Sequence, residues 1–155
     1  MKPFDVTKSL TLKALKEFIA YASKTSDDKV NWKPSETARS VIEISQECLA
    51  LANLLVVSAK ENFSTLTEEK WQAEMNKAKG FTSLNDVLRQ LRLKTNSLLR
   101  VFERFPPGKW STTVKTGWGK MSIFEILWMH HNHLTYHLGQ IAYIQTIYGD
   151  LEMHN

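Results

Sequence analysis

The 155-residue chain has one cysteine, Cys48, which excludes an intramolecular disulfide and any zinc site built from several thiolates. Glycine (6) and proline (4) are scarce, which favours long uninterrupted helices over a turn-rich β architecture. The opening stretch MKPFDVTKSL lacks an apolar core of signal-peptide length, and no apolar run reaches the ~18 residues expected of a membrane span. Together with the lone thiol this gives the expectation of a cytoplasmic protein without a membrane partner. Lys and Arg exceed Asp and Glu by 20 to 16, yet no run of five like charges occurs. A nucleic-acid binder concentrates its cations on one face or arm, so the expected reading is a mildly basic solvated surface. Phosphate-binding glycine loops, dinucleotide fingerprints and the serine-hydrolase elbow are also missing.

What the chain does have is helical periodicity. A first helix from about Thr7 to Ser23 carries Leu12, Leu15, Phe18, Ile19 and Ala22 as its apolar stripe. Pro34 and Ser35 read as a break and an N-cap, predicting a second helix from about Glu36 to Lys60 with Val41, Ile44, Cys48, Leu51 and Leu55 inward. A connector of roughly twenty residues, ENFSTLTEEKWQAEMNKAKGFT, follows, with a short helical turn expected in its middle. SLND at Ser83 resembles a capping box with Asp in place of Glu, and the third helix runs to the stop at Pro106, Pro107 and Gly108. KWSTTVKTGWGKM reads as a loop or small hairpin. The last helix starts at the capping box SIFE, Ser122 to Glu125, and ends at Gly149. Four such stripes bury most economically as an all-α four-helix bundle, one domain over residues 1–155, with the long second connection serving as a crossover.

Four of the five histidines (His130, His131, His133, His137) fall within WMHHNHLTYHLGQ on this last helix. At about 100° per residue, His133 and His137 lie about 40° apart on one face, His130 one turn earlier on the same side, and His131 well away from it, towards solvent. Two histidines four residues apart on a helix are a common way to present two nitrogens to one metal ion, whereas a lone core histidine is usually just packed. Glu47 stands at the edge of the inward stripe of the second helix, where an unpartnered carboxylate is costly. An ion held by Glu47, His133 and His137 satisfies all three and leaves coordination positions open, the pattern of a catalytic site. The plainer alternative is a Glu47–histidine ion pair. Glu43 reads as a surface charge and Cys48 as a small buried hydrophobe. Gln140 reads as a side chain that either hydrogen-bonds in the site or packs, and Trp110, Trp118 and Trp128 either as core or as the wall of a pocket.

SVIEISQECLALAN together with HNHLTYHLGQIAYIQTIYGD resembles the DinB-like (YfiT-like) superfamily of metalloenzymes, over the whole chain. The motif residues are His133, His137, Gly139 and Gln140. The resemblance implies an up-down-down-up bundle and a divalent ion, zinc or nickel, held by a histidine of the second helix and two of the last. Family members often read S-V-x-E-I-L-x-H on the second helix, and counting from Ser40 places Glu47 where that histidine is expected. A carboxylate is an acceptable ligand in its stead. The implied activity is a metal-dependent hydrolase or low-molecular-weight-thiol transferase acting on a small molecule, with a thiol cofactor as partner and homodimerisation typical of the family. His130 is the candidate general base. A non-catalytic metal- or ligand-binding bundle is the alternative.

Overall fold

A computed structural model describes residues 3–154. It contains five α-helices, α1 (Pro3–Ser23), α2 (Val41–Ser58), α3 (Glu68–Lys79), α4 (Leu84–Glu103) and α5 (Ile123–Ile147), and a hairpin of β1 (Thr113–Thr116) and β2 (Gly119–Ser122). Helices α1, α2, α4 and α5 form the bundle, in which α2 packs on α4 and α5, and α1 on α5 and α4. Side-chain bonds fix the directions. Gln145 near the end of α5 donates to the Tyr21 carbonyl near the end of α1, 2.8 Å, so these two run parallel. Lys8 near the start of α1 lies 3.7 Å from Glu103 at the end of α4, so these run antiparallel. Gln46 of α2 donates to the Phe81 carbonyl just before α4, 2.9 Å, which makes α2 and α4 parallel. The order is up-down-down-up, and α3 lies within the crossover.

Most helix boundaries follow from caps. Ser122 and Glu125 form a complete capping box at α5, and Gly149, with φ +97°, takes the left-handed position after its end. At α4 only half of a box forms: Ser83 accepts from the Asp86 amide, while the Asp86 carboxylate turns to Arg89 instead. The second helix starts later than expected. Its N-cap is Ser40, whose Oγ accepts from the Glu43 amide while the Glu43 carboxylate accepts from the Ser40 amide, 2.8 Å. Ser35 has Ala38 three residues on and cannot close such a box, so the sequence cue at Pro34 marks a turn rather than a helix start. Glu43 is therefore not simply a surface charge; it also lies 2.6 Å from Lys33. Ser40→Ala is expected to cost about 1 kcal/mol of stability, seen as a lower urea midpoint at unchanged m-value.

Three further expectations need correction. The middle of the long connection is a full 12-residue helix, capped by Thr67 and tied to α2 by the bond from Asn53 to the Glu74 carboxylate. On α1, Leu12 is exposed and Ile19 only partly buried; the inward face is Thr7, Thr11, Ala14, Leu15, Phe18 and Ala22. Thr11 belongs on that face because its hydroxyl donates to the Thr7 carbonyl, 2.8 Å, so the polar group is satisfied inside the helix. Finally, α2 with its following turn, Val41–Glu61, is long and apolar enough to cross a membrane by length and composition, although 72% of its most apolar window is buried inside the bundle. Its hydrophobicity is that of a core helix. The hairpin folds against residues 66–67: the Gly117 amide donates to the Leu66 carbonyl, 2.7 Å, and a Cβ at Gly117 would stand 2.9 Å from that oxygen.

Candidate metal centre

Helix α2 presents Glu47 to α5 about two turns after its cap, and α5 presents His133 and His137 from successive turns. Glu47 Oε1 lies 3.4 Å from His133 Nε2 and 3.3 Å from His137 Nε2, and the two nitrogens are 3.1 Å apart. Three donor atoms thus form a nearly equilateral triangle. Ligands on a tetrahedral ion at about 2.0–2.1 Å stand roughly 3.3–3.4 Å from one another, so the triangle has the size of one face of such a shell. His137 is buried, whereas Glu47 (18%) and His133 (20%) keep some exposure, so the open side faces outward.

The protonation states suit ligation. Burial, then the neighbouring His137 and the Arg39 guanidinium, push the His133 pKa down to about 3. Burial pushes His137 down to about 4, with Gln140 opposing and Arg39 assisting. Both imidazoles are neutral at pH 7, the form that binds metal. Gln140 Oε1 lies 2.7 Å from His137 Nδ1, so this nitrogen carries the proton and Nε2 is left with its lone pair towards the triangle. Gln140→Leu is expected to weaken divalent-metal affinity by about 10- to 100-fold, measured by competition with a chromogenic chelator.

Two residues enter the site that sequence reasoning did not place there. Arg39, in the turn before α2, pairs with Glu47 Oε2 and leaves Oε1 to the histidines. Nothing periodic marks it. Its guanidinium meets Glu47 across the helix start that Ser40 caps, about two turns along α2. Cys48, read as a small hydrophobe, has its sulfur in one group with His133 and His137, the ligand atoms all within 4.8 Å of one another. It is fully buried, which pushes its thiol pKa up. The triangle through Glu47 is tighter and reaches solvent; Cys48 lies behind it.

The other histidines stand apart. His130 is 0% exposed and its Nε2 lies 2.8 Å from Thr95 Oγ1 of α4, so it faces the bundle interior rather than the triangle. His131 is not solvent-facing: it is half-buried with its ring 4.2 Å from that of Trp128. Trp128 in turn lines an open groove of about 480 Å³ with Met121, Glu125, Met129, Asn132, His133 and Tyr136. That groove gives a small molecule access to the His133 side of the triangle. Trp110 is a buried member of the core and stacks on Phe124 at 6.4 Å, and Trp118 is exposed at the hairpin turn.

The up-down-down-up bundle with a histidine pair on its last helix defines a class of small all-α proteins with a candidate metal centre. The chain belongs to the DinB superfamily, whose family model matches residues 10–141. Among solved structures it is similar to YjoA, a DinB-like protein of Bacillus subtilis, at TM-score 0.71 and 19% identity, covering 95% of this chain and 94% of that one. It is also similar to a mycothiol-dependent maleylpyruvate isomerase, at TM-score 0.67 and 16% identity, covering 90% of this chain but only 60% of that one. No curated protein matches the sequence significantly.

Proposed function

We propose that the protein is a divalent-metal-dependent enzyme that acts on a small molecule, as a thiol S-transferase or a hydrolase. The observation that carries this reading is the outward-facing triangle of Glu47 Oε1, His133 Nε2 and His137 Nε2, with edges of 3.1–3.4 Å. The donor set of two imidazoles and a carboxylate suits zinc or nickel. A divalent ion held there supplies Lewis acidity towards a water or a thiol. The chain's own groups do the rest. Gln140 keeps the proton on His137 Nδ1, and Arg39 engages Glu47 Oε2 so that a single carboxylate oxygen points inward. The groove beside His133 offers Trp128 and two methionines as an apolar seat for substrate. His130, hydrogen-bonded to Thr95 and without exposure, is assigned to positioning α5 against α4.

The thiol branch draws support from the fold shared with a mycothiol-dependent enzyme, and the family resemblance extends the proposal to a cytoplasmic homodimer. Protein loaded with zinc or nickel is to be assayed with a low-molecular-weight thiol plus an electrophile in one arm, and with amide and ester substrates in the other. Turnover in one arm, lost in His133→Ala, is the expected outcome. Silence in both arms with a fully loaded protein would contradict the enzyme reading and favour a ligand-binding bundle.

A further inference from the structure

The groove beside His133 is not the largest hollow in the molecule. A cavity of about 580 Å³ opens where the ends of α2 and α4 meet the hairpin and the start of α5. Its walls are apolar: Val56 from α2, Val101 and Phe105 from the end of α4, and Ile123 from the first turn of α5. Asn62 and Thr112 add neutral polar groups, and Lys60, Arg104 and Lys109 are the charged residues of the lining, all three exposed. No acidic residue lines the cavity, and none of the three cations has an ion-pair partner among the described residues. Glu61 and Glu103 neighbour two of them in sequence, but neither lines the cavity and Glu103 is engaged by Lys8 at 3.7 Å.

This arrangement selects a ligand by chemistry. The volume lies within the roughly 300–1,000 Å³ usual for small-molecule sites. Apolar walls favour a hydrocarbon, whose surface is withdrawn from water there. Unpaired cations at the mouth of a low-dielectric hollow concentrate anions, and an arginine among them offers a two-pronged grip on a carboxylate. A cationic amphiphile gains only from the walls and a small polar anion only from the cations, whereas an amphipathic anion gains from both. The site is also separate from the candidate metal centre: Val56 is nine residues beyond Glu47 on α2, about 14 Å along the axis.

We propose that this cavity binds an amphipathic monocarboxylate, its hydrocarbon part between α2 and α4 and its carboxylate among Lys60, Arg104 and Lys109. The test titrates decanoate into the full chain by calorimetry and maps the site by amide chemical shifts. Binding is expected, with shifts at Val56, Val101 and Ile123. Decanol and decyltrimethylammonium are expected to bind at least about tenfold more weakly, as is decanoate to the Lys60→Gln/Arg104→Gln/Lys109→Gln variant. These three exposed positions can change without disturbing the core, and Val101→Trp, which fills the cavity, gives an independent block. His133→Ala/His137→Ala is expected to bind decanoate unchanged. Equal binding of decanol, an unaffected triple variant, shifts centred on His133, or no binding up to about 1 mM would each overturn the proposal.

Discussion

Replacing Glu47 and His137 together by alanine is expected to take bound divalent metal from about one ion per chain to near none, in protein prepared without a histidine tag. The two changes remove two of the three corners of the donor triangle, and what remains, His133 with the buried and protonated Cys48 thiol behind it, is too few donors to hold an ion tightly. The loss should exceed the roughly 10- to 100-fold cost of removing an outer hydrogen-bond partner such as Gln140. The fold should survive. Glu47 is partly exposed, and the Arg39 side chain that loses its partner is 40% exposed and can be solvated. Glu47→His is the informative companion, because the DinB resemblance places a histidine at this position; it is expected to keep one ion per chain with altered metal preference. Metal analysis with a circular-dichroism check of folding distinguishes these outcomes. Unchanged metal content in the double alanine variant would remove the site.

The second large effect concerns acid. His130 is 0% exposed, its Nδ1 has no partner, and burial, with smaller contributions from His133 and His131, pushes its pKa down to about 3. In the unfolded chain the same imidazole titrates near 6.5. Between these two values the unfolded state binds a proton that the folded state refuses. Stability therefore falls as pH drops from about 6.5 towards 3, by about 1.4 kcal/mol per pH unit for this one group, and is flat with respect to it above 6.5. His133 and His137 act in the same direction when no metal holds them. Carboxylates with depressed pKa, Glu43 and Glu125, contribute stability that is lost only below about 4.5. The interval from 4.5 to 6.5 thus reports the histidines. Urea midpoints of chelator-treated protein at several pH values should fall steeply there, and His130→Gln, which keeps a hydrogen-bonding group for Thr95, should reduce the slope by about one proton. An identical slope in the variant would show that His130 is charged in the folded state.

The features legible in the sequence are those encoded locally. Ser122 and Glu125 start a helix because their two reciprocal bonds span only three residues, and Gly149 ends it because a residue with φ +97° needs no side chain. The 40° separation of His133 and His137 is a property of any α-helix, so their shared face could be read directly. What the sequence concealed depends on distant partners. The start of α2 is an exception, encoded just as locally by Ser40 and Glu43 and masked only by the competing break at Pro34. Helix α3 has a weak apolar stripe and is held by Asn53 of α2 on Glu74, a contact across 21 residues. His130 shares a face with His133, which makes it the candidate general base by sequence, but Thr95, 35 residues earlier, claims its Nε2. Arg39 carries no periodic signal, and only the folded turn brings it to Glu47. Cys48 follows Glu47 in sequence yet lies about 100° round the helix, which pointed away from the site; the width of the donor group brings its sulfur within reach of both imidazoles.

The central claim is that Glu47, His133 and His137 together hold one divalent ion. Anomalous diffraction from crystals of the zinc- or nickel-loaded protein tests it most directly. A single strong peak is expected, bounded by Glu47 Oε1, His133 Nε2 and His137 Nε2, each about 2.0–2.2 Å away, with its free side towards the groove beside Trp128. A peak that excludes Glu47, or a loaded crystal with no peak at these residues, would contradict it.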